Sequence, residues 1–380
     1  MAETQNLPPT VHRIPRLPAI DTMRGIVMVL MAMDHASHAF NAHRYTADSF
    51  MWYQAGADIP VVQFLVRWVT HLCAPTFLFL AGFVLALSVS RRLDRGDPQH
   101  RIDREILIRG IFILLLDPFW MSFGFGGNAI FQVLFAIGAS FCLMVPLRRL
   151  NLIVLGLISC GLFFFGEGLA QLVAGFSGTR QPGPGGALLI IGLRKVMGVY
   201  VLYPLLPWLA YMILGWVCGT YMLGKERFRP VGFFTVAGVV SLMLFLIVRG
   251  LNQFGNMWLY RYDLSIPQWL HVSKYPPSLS FAALELGIMF LILAFLFAWY
   301  RQRKPSPANP LQVFGRTPLF FYILHVHLLA LGAWALKLHR AGGLVETGLA
   351  TLAVLMVLYP LCRRYDRLKR AHPKSILRLV

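Results

Sequence analysis

The chain has 380 residues, of which 57% are hydrophobic and only 13% charged, and its mean hydropathy is +0.62. A soluble globular protein is nearer a quarter charged, so this composition excludes an ordinary soluble enzyme. The formal net charge of +19 does not call for a nucleic-acid partner, because its distribution along the chain follows the positive-inside rule of membrane proteins.

Apolar runs long enough to cross a bilayer recur along the whole chain. A membrane-spanning helix needs about 20 residues. Backbone groups in lipid must be hydrogen-bonded within the segment, so these runs are predicted to be helices. The fold class is therefore all-α, a polytopic membrane protein of about ten transmembrane helices. The helices are predicted at about 20–40, 61–90, 106–120, 129–147, 152–174, 197–223, 231–248, 279–300, 311–336 and 343–361.

The basic residues alternate between the two sides of this helix pattern. They cluster before the first helix and after each even-numbered helix, which places both termini and the 91–105 loop in the cytoplasm. The chain is accordingly divided into a cytoplasmic tail at 1–18, a transmembrane domain at 19–362 and a basic cytoplasmic tail at 363–380. In the sixth predicted helix, Gly215 and Gly219 form a GxxxG pair, which is typical of close helix packing.

The first helix carries the densest set of ionisable residues inside a predicted span: Asp34, His35 and His38. Such residues are costly in a membrane and usually face a cavity or a partner. Asp34 and His38 are four residues apart and share a helix face. A carboxylate beside imidazoles can orient a ring and raise its basicity, so the sequence predicts a proton-transfer site with His35 as its main candidate.

Other ionisable residues in the spans have structural alternatives to a functional role. Arg67 and His71 are four residues apart in the second helix, and His325 and His327 lie in the ninth. Asp117 stands at a helix end, where capping or exposure explains it, Glu167 lies near an outer end, and an ion pair to a neighbouring helix would explain Glu285. No metal is predicted for His35, His38 or His71, because the sequence has no HxxxH motif and no Cys/His pair with ligand spacing. The five cysteines are scattered, without a CxxC pair, and none is expected to be essential.

The inner end of the first helix is basic. Arg24 precedes His35 by eleven residues, which is about 16 Å along a helix. A cytoplasmic anion bound at Arg24 would thus reach His35 within the membrane, and phosphate is the natural partner of arginine. Arg104 and Arg109 add charge at the same level. The alternative is that these arginines only determine topology.

These residues resemble a known family of membrane enzymes. Ile20–Gly25 running to His35 resembles the opening of membrane-bound acyltransferases, and Arg24 with His35 is similar to the Arg-X10-His motif of the acyltransferase 3 family. Further segments resemble bacterial relatives of lysosomal heparan-α-glucosaminide N-acetyltransferase. These segments are Arg67–Phe77, Tyr203–Trp208, Lys274–Leu279 and Gly315–His325. The resemblance extends from the first to the ninth helix, and makes residues 19–362 a transmembrane acyltransferase domain.

The resemblance implies an enzyme that takes acetyl-CoA from the cytoplasm and passes the acetyl group to an acceptor at the opposite face. Such families use a membrane-embedded histidine, matched here by His35. In the lysosomal enzyme the proposed active histidine lies in the loop after the first helix, where this chain has His43. His35, His38 and His43 are therefore alternatives. We favour His35 because it lies in the cluster of ionisable residues on the first helix and also matches the histidine of the Arg-X10-His motif.

The resulting hypothesis is acetyl-CoA-dependent O- or N-acyl transfer, with no metal. Arg24 and Arg109 are expected to hold the CoA phosphates, and Arg67 and Lys274 are further candidates for binding the donor. His35, oriented by Asp34, is expected to deprotonate the acceptor or to carry the acetyl group itself. His71 or His325 would stabilise the oxyanion.

The expected partners are the lipid bilayer and a sugar, an envelope glycan or a small-molecule acceptor, with no nucleic acid. A homo-oligomer is left open. The expected location is a bacterial inner membrane. The alternative function is a transporter or flippase for an anionic solute or lipid, which the same intramembrane Arg, His and Asp residues would suit.

Overall fold

A computed structural model describes residues 17–174, 182–225, 228–372, 375 and 377 of the chain. The predicted tail at 1–18 lies mostly outside these residues, as does the end of the tail at 363–380. Five basic residues used to predict the topology are also outside them: Arg13, Arg16, Arg227, Lys374 and Arg378.

The described part is mainly helical, with three short strands. Its helices are α1 Pro18–Phe40, α2 Val61–Val69, α3 Cys73–Leu93, α4 Gln99–Leu116, α5 Ser122–Gly124, α6 Val133–Leu147, α7 Leu152–Ala174, α8 Pro184–Gly186, α9 Leu205–Leu223, α10 Pro230–Leu251, α11 Ile266–Leu270, α12 Leu279–Gln302, α13 Pro310–Arg316, α14 Pro318–Ala335 and α15 Leu344–Ala371. A 3₁₀ turn at Thr70–Leu72 joins α2 to α3, and π-helical turns occupy Asp117–Met121 and Ala187–Ile191. Three short strands, β1 Ile130–Phe131, β2 Arg194–Val196 and β3 Val199–Val201, form a sheet in the order β1-β3-β2.

Eight helical segments of the described residues are long and apolar enough to cross a membrane. They are Val61–Leu93, Gln99–Gly124, Leu152–Ala174, Leu205–Leu223, Pro230–Leu251, Leu279–Gln302, Pro318–Ala335 and Leu344–Ala371. The predicted class, a polytopic all-α membrane protein, is confirmed. The other two predicted spans correspond to α1, which contains three charged residues, and to α6, which has only 15 residues. The count of ten and the sides of the termini remain predictions.

The predicted third helix begins earlier than the sequence indicated. α4 starts at Gln99, so Arg104, which precedes the predicted start at 106, also lies within the helix. Hydropathy identifies only the part of a helix that lies in lipid, so it does not detect the polar first turns of α4.

α1 lies at the centre of the bundle, in contact with α3, α12, α13, α14 and α15. Its crossing with α13 is very close, because a Cβ on Gly25 would lie 2.0 Å from the carbonyl oxygen of Leu311. A Cβ on Gly315 would lie 1.7 Å from the carbonyl oxygen of Asp21. Only glycine permits this approach, and it holds the N-terminal end of α1 against α13.

The predicted close packing of Gly215 and Gly219 is confirmed. Both glycines of α9 face α3, where a Cβ on Gly215 would lie 1.9 Å from the carbonyl oxygen of Phe79 and a Cβ on Gly219 would lie 2.7 Å from that of Phe83. The α3–α9 pair forms one wall of the core, and it supports α1 and the start of α6.

Two isolated acidic residues in the spans accept hydrogen bonds from backbone amides. Asp117 is fully buried, and its Oδ2 accepts hydrogen bonds from the amides of Gln132 and Phe135, which caps the start of α6. Of the two explanations given for Asp117, capping is thus correct and exposure is wrong. Glu167 Oε2 accepts from the amides of Gly255 and Met257. It therefore ties α7 to the connection after α10.

Candidate active site

A cavity of about 290 Å³ with a strongly basic lining opens beside the N-terminal half of α1. We call it the basic cavity. Its four cationic residues come from four helices: Arg24, Arg109, Arg316 and Lys369. The remainder is mostly apolar and includes Phe77, Phe141, Val133 and Tyr322. Four cations around one apolar cavity form a site suited to a polyanion with an organic tail.

Two of these cations were predicted as donor-binding residues, and two were not. Arg24 and Arg109 share the cavity as expected. Arg316 and Lys369 were not predicted to bind the donor. Nothing in their local sequence sets them apart from the other basic residues near helix ends. Their role depends on α13 and α15 packing against α1.

A second, much smaller cavity of about 40 Å³ lies next to the basic cavity. We call it the histidine cavity. Its polar lining includes Asp34, His35, Thr70 and Lys274. Three residues line both cavities: Phe77, Val133 and Tyr322. The two spaces thus adjoin, and His35 lies on the far side of the shared residues from Arg24.

His35 forms a hydrogen-bonded pair with His325 of α14. The distance from His35 Nδ1 to His325 Nε2 is 2.7 Å, and the rings stack with centroids 4.9 Å apart. His325 Nδ1 lies 2.8 Å from the carbonyl oxygen of Tyr322 and 3.1 Å from that of Phe321. A carbonyl oxygen can only accept, so His325 Nδ1 carries the hydrogen, and its Nε2 accepts from His35 Nδ1. The second nitrogen of His35, Nε2, is left with a lone pair.

Two roles predicted for the residues around His35 are corrected by this pairing. Asp34 does not orient His35, because consecutive helix residues point about 100° apart, and the hydrogen-bonding partner of His35 Nδ1 is His325. His325 cannot donate to an oxyanion, because its one N–H is directed at backbone carbonyls. His325 is instead a positioning residue for His35.

Asp34 belongs to an ion-pair network centred on Arg67. The guanidinium donates from Nη1 to both oxygens of Asp34, from Nε and Nη2 to Asp48 Oδ2, and from Nη2 to Tyr275 Oη. These bonds use all five N–H groups of an arginine. The predicted role of Arg67 in binding the donor is therefore wrong, because no N–H group remains for a phosphate. Arg44 Nη2 also donates to Asp34, at 2.9 Å.

His71 belongs to the same network rather than to a cavity. Its Nε2 lies 3.0 Å from Asp48 Oδ2, and since a carboxylate accepts, the single N–H of a neutral ring is used there. The predicted role of His71 as an oxyanion donor is therefore not supported. Burial alone would raise the pKa of Asp48, but Arg67 and the His71 hydrogen bond hold that pKa below its usual value. Lys274, predicted to bind the donor, is the cationic residue that lines the histidine cavity.

The family model described as heparan-alpha-glucosaminide N-acetyltransferase, catalytic, matches residues 16–250. The chain belongs to this family. The predicted resemblance is thereby confirmed for this family, and the protein is a membrane acetyltransferase. No curated protein matches the chain. Lys274 and His325 lie beyond the matched residues, so their place in the site rests on the structure.

The three candidate histidines of this acetyltransferase occupy different places. His35 lines the histidine cavity, and His38 lines a separate cavity toward the end of α1. His43 is exposed in the connection to α2, where its backbone amide donates to Asn41 Oδ1. Of these three, His35 is the residue that lines the cavity adjoining the basic cavity. Among the described residues, no group of three or more His, Cys, Asp or Glu side chains is placed to hold a metal ion.

Cys73 lies closest to the site of the five cysteines, since it lines the histidine cavity. Its Sγ donates a weak hydrogen bond to the carbonyl oxygen of Val27 at 3.4 Å, as a packed thiol does. We expect Cys73→Ala to keep at least about one third of wild-type kcat, because a nucleophilic cysteine must first lose its proton to a base, whereas the Cys73 thiol is directed at the carbonyl oxygen of Val27. Steady-state acetyl transfer by the purified variant measures this. A folded Cys73→Ala protein without activity would contradict it.

We expect His271 to make the stability of the folded protein depend on pH. It is fully buried beside Tyr45 and Asp48, and its Nε2 donates to the carbonyl oxygen of Ala47 at 2.7 Å. Burial lowers the pKa of His271 from 6.5 to about 4, and the nearby Arg249 guanidinium acts in the same direction. The unfolded chain therefore binds the proton more readily between pH 6.5 and 4. The stability from the neutral ring is complete above about pH 6.5 and is lost as the pH falls toward 4, by about 3 kcal/mol.

His271→Gln should remove this part of the pH dependence. We expect the melting temperature of the wild-type protein in detergent to fall more steeply between pH 6.5 and 4 than that of the variant. Equal slopes for the two proteins would show that His271 does not contribute.

Proposed function

We propose that the protein transfers an acetyl group from cytoplasmic acetyl-CoA to a hydroxyl or amine of a sugar or envelope glycan. The observation that carries this proposal is the contact between the basic cavity and the histidine cavity. The cavity suited to a phosphorylated donor adjoins the cavity of a histidine whose Nε2 has a lone pair. The two cavities share Phe77, Val133 and Tyr322. A flippase would also need the basic cavity, but it would have no use for a histidine whose tautomer is set by a second histidine.

The donor fits the basic cavity by charge and shape. Arg24, Arg109, Arg316 and Lys369 would bind the CoA phosphates, since arginine and lysine are the usual partners of phosphate groups. The apolar part of the lining would hold the pantetheine arm. The pantetheine arm then extends over the distance from Arg24 to His35, about 16 Å along α1. The thioester at its end thus reaches the histidine cavity.

The transfer step uses the lone pair of His35 Nε2. The acceptor nitrogen or oxygen attacks the thioester carbonyl carbon while His35 Nε2 takes the acceptor's proton. The Lys274 ammonium stabilises the oxyanion that forms. The C–S bond then breaks, and the CoA thiolate takes the proton from His35. The hydrogen bond to His325 holds His35 in the required tautomer throughout.

Three of the four cationic residues of the basic cavity lie near helix ends that the charge pattern assigns to the cytoplasm, while Arg109 lies farther along α4. Arg24 lies near the start of α1, Arg316 at the end of α13 and Lys369 near the end of α15. We therefore propose that the donor enters from the cytoplasm, in a bacterial inner membrane. A single chain carries every residue used here, and association into a homo-oligomer is not part of the proposal.

Arg24→Ala tests the donor site. The phosphates keep their charge during the reaction, so the loss of Arg24 should weaken binding of the ground and transition states alike. A charge-assisted hydrogen bond contributes about 1.5–3 kcal/mol, so we expect the KM for acetyl-CoA to rise about ten- to a hundredfold, with a smaller change in kcat. Inverted vesicles with acetyl-CoA outside should be active, and right-side-out vesicles should not.

Arg104→Ala is the matched control. Arg104 is exposed on the same face of the membrane and is not among the residues lining the basic cavity, so its loss removes the same charge from the topology signal. Its KM should stay within about twofold of wild type, as expected for a surface charge. If Arg24→Ala changes yield or orientation with KM unchanged, Arg24 is only a topology determinant. Solute counterflow without thioester consumption would favour a transporter.

A further inference from the structure

A third cavity, of about 560 Å³, lies at the other end of α1 and α14 from the basic cavity. We call it the outer cavity. α14 contributes Pro318 and Leu319 from its first turn to the basic cavity, and Leu331 and Trp334 from its last turns to the outer cavity. α1 likewise contributes Arg24 to one and His38 to the other. The two cavities therefore lie toward opposite faces of the membrane.

Phe125 lies between the outer cavity and His35. Its ring centroid is 5.2 Å from that of His35 and 5.6 Å from that of His38, and it lines the outer cavity. A ligand in the outer cavity is thus separated from His35 by a single aromatic ring. The outer cavity is placed to hold the second substrate, opposite the donor.

The lining of the outer cavity combines cationic and hydrogen-bonding groups with exposed apolar side chains. Arg340 Nη2 donates to His38 Nε2 at 3.4 Å, and His327 and His339 also line the space. Trp334, at the rim, is 80% exposed on a helix that spans the membrane. The cavity therefore has a cationic side chain, Arg340, in its lining and an apolar side chain, Trp334, exposed beside it.

An apolar groove of about 370 Å³ continues from the outer cavity between α14 and α15. Its lining is apolar except for Glu346, and includes Leu328, Gly332, Leu349 and Val357. At two positions in the chain, consecutive residues line the groove and the outer cavity. Ala39 lines the outer cavity and the next residue, Phe40, lines the groove, while Leu338 lines the groove and His339 the outer cavity. Leu349 is 63% exposed, so the groove is open to the hydrocarbon of the bilayer.

We propose that the acceptor is an amphiphile, namely a sugar joined through an anionic group to a hydrocarbon chain in the membrane. The sugar occupies the outer cavity beside Phe125, the anionic group contacts Arg340, and the chain lies in the apolar groove. This rests on the proposed acetyl transfer and names the class of its acceptor. A soluble glycan would use the outer cavity but not the groove, whereas each methylene buried in the groove would strengthen binding of an amphiphile.

The test uses acceptors that differ only in chain length, the methyl and decyl phosphodiesters of glucosamine 1-phosphate. Acetyl transfer from labelled acetyl-CoA is measured with the protein in nanodiscs. We expect the decyl ester to have a KM at least about tenfold lower than the methyl ester, from the transfer of several methylenes out of water. Decyl glucosaminide, without the phosphate, should bind more weakly than the decyl phosphodiester. Arg340→Gln should remove that difference.

Partition into the nanodisc would also favour the decyl ester. A variant that changes only the groove is therefore needed to distinguish binding in the groove from partition. A Cβ at Gly332 meets only the Phe40 ring, at 3.8 Å, and Gly332→Leu would fill the groove without displacing the backbone. The decyl preference, a ratio of KM values within one protein, should fall to about threefold or less as the buried chain is lost. Gly348→Leu is the matched control, because Gly348 is exposed on α15 and a Cβ there meets nothing within 4 Å.

The outcomes separate this proposal from the proposed function. If Gly332→Leu keeps the full decyl preference, the preference comes from partition, and the amphiphile proposal is overturned. It is also overturned if the methyl ester is acetylated as well as the decyl ester, or if neither ester is acetylated while acetyl-CoA still binds saturably. Failure of the protein to bind acetyl-CoA would overturn the proposed function itself.

Discussion

His35→Gln is expected to lower kcat for acetyl transfer by about 10²- to 10⁴-fold, the usual contribution of a general base. The variant should bind acetyl-CoA as wild type does, and raising the donor concentration should not restore the rate. The reason lies in the His35–His325 pair, which leaves the lone pair of His35 Nε2 for the acceptor's proton. Steady-state kinetics on monodisperse protein give kcat, and a binding assay on the same protein gives its affinity for acetyl-CoA.

His43→Gln is the matched control, because His43 is exposed in the connection after α1 and should keep wild-type turnover. His325 is tested by a pair of variants. The amide oxygen of His325→Gln can still accept from His35 Nδ1, whereas His325→Phe cannot, so the glutamine variant should keep more kcat. If folded His35→Gln retains wild-type turnover, the assignment is wrong and His38 or His43 is the reactive residue. Acetyl label retained on wild-type His35 would show that it carries the acetyl group.

Arg67→Met is expected to destabilise the protein by about 3–5 kcal/mol, the usual cost of removing one partner from a buried ion pair. Arg67 is 6% exposed, and Asp48, one of its two carboxylate partners, is 1% exposed. Without the guanidinium, Asp34 keeps Arg44 and Asp48 keeps His71, but the buried Asp48 and the partly buried Asp34 lose their strongest partner. Denaturation in detergent, followed by tryptophan fluorescence, measures the loss.

Arg92→Met provides the comparison for Arg67→Met. Arg92 also bonds two carboxylates, Asp97 and Glu105, but these are 33% and 26% exposed. Water can replace the lost bonds there, so the expected cost is below about 1 kcal/mol. Equal destabilisation by the two substitutions would mean that the Arg67 network contributes no more than a surface ion pair.

The membrane class and the spacing of Arg24, Asp34 and His35 could be predicted from sequence because both depend on features close together in the chain. Hydropathy over about 20 residues identifies a span whatever it packs against. Arg24, Asp34 and His35 lie on one helix, so their spacing converts directly into distance. The glycine pair at Gly215 and Gly219 was predictable for the same reason, since a small-residue spacing on one helix marks a close contact.

The roles of individual polar residues were predicted less well, because a role depends on the partner. Arg67 was expected to meet a phosphate, but Asp48 from the preceding connection and Asp34 use all of its donors. His325 was expected to donate to an oxyanion, but backbone carbonyls of its own helix take its N–H. Sequence shows the hydrogen-bonding capacity of a side chain, whereas packing decides how much of that capacity is already used.

By itself, the sequence determined that this is a helical membrane protein with a histidine deep in its first helix and an arginine about three turns before it, because hydropathy and helical spacing act within single segments. Only the tertiary structure decided that His325, 290 residues away in the chain, sets the tautomer of His35. It also decided that Arg316 and Lys369 join Arg24 around one cavity. These contacts join helices distant in sequence, and they exist because glycines such as Gly25 and Gly315 allow the helices to approach closely enough to meet.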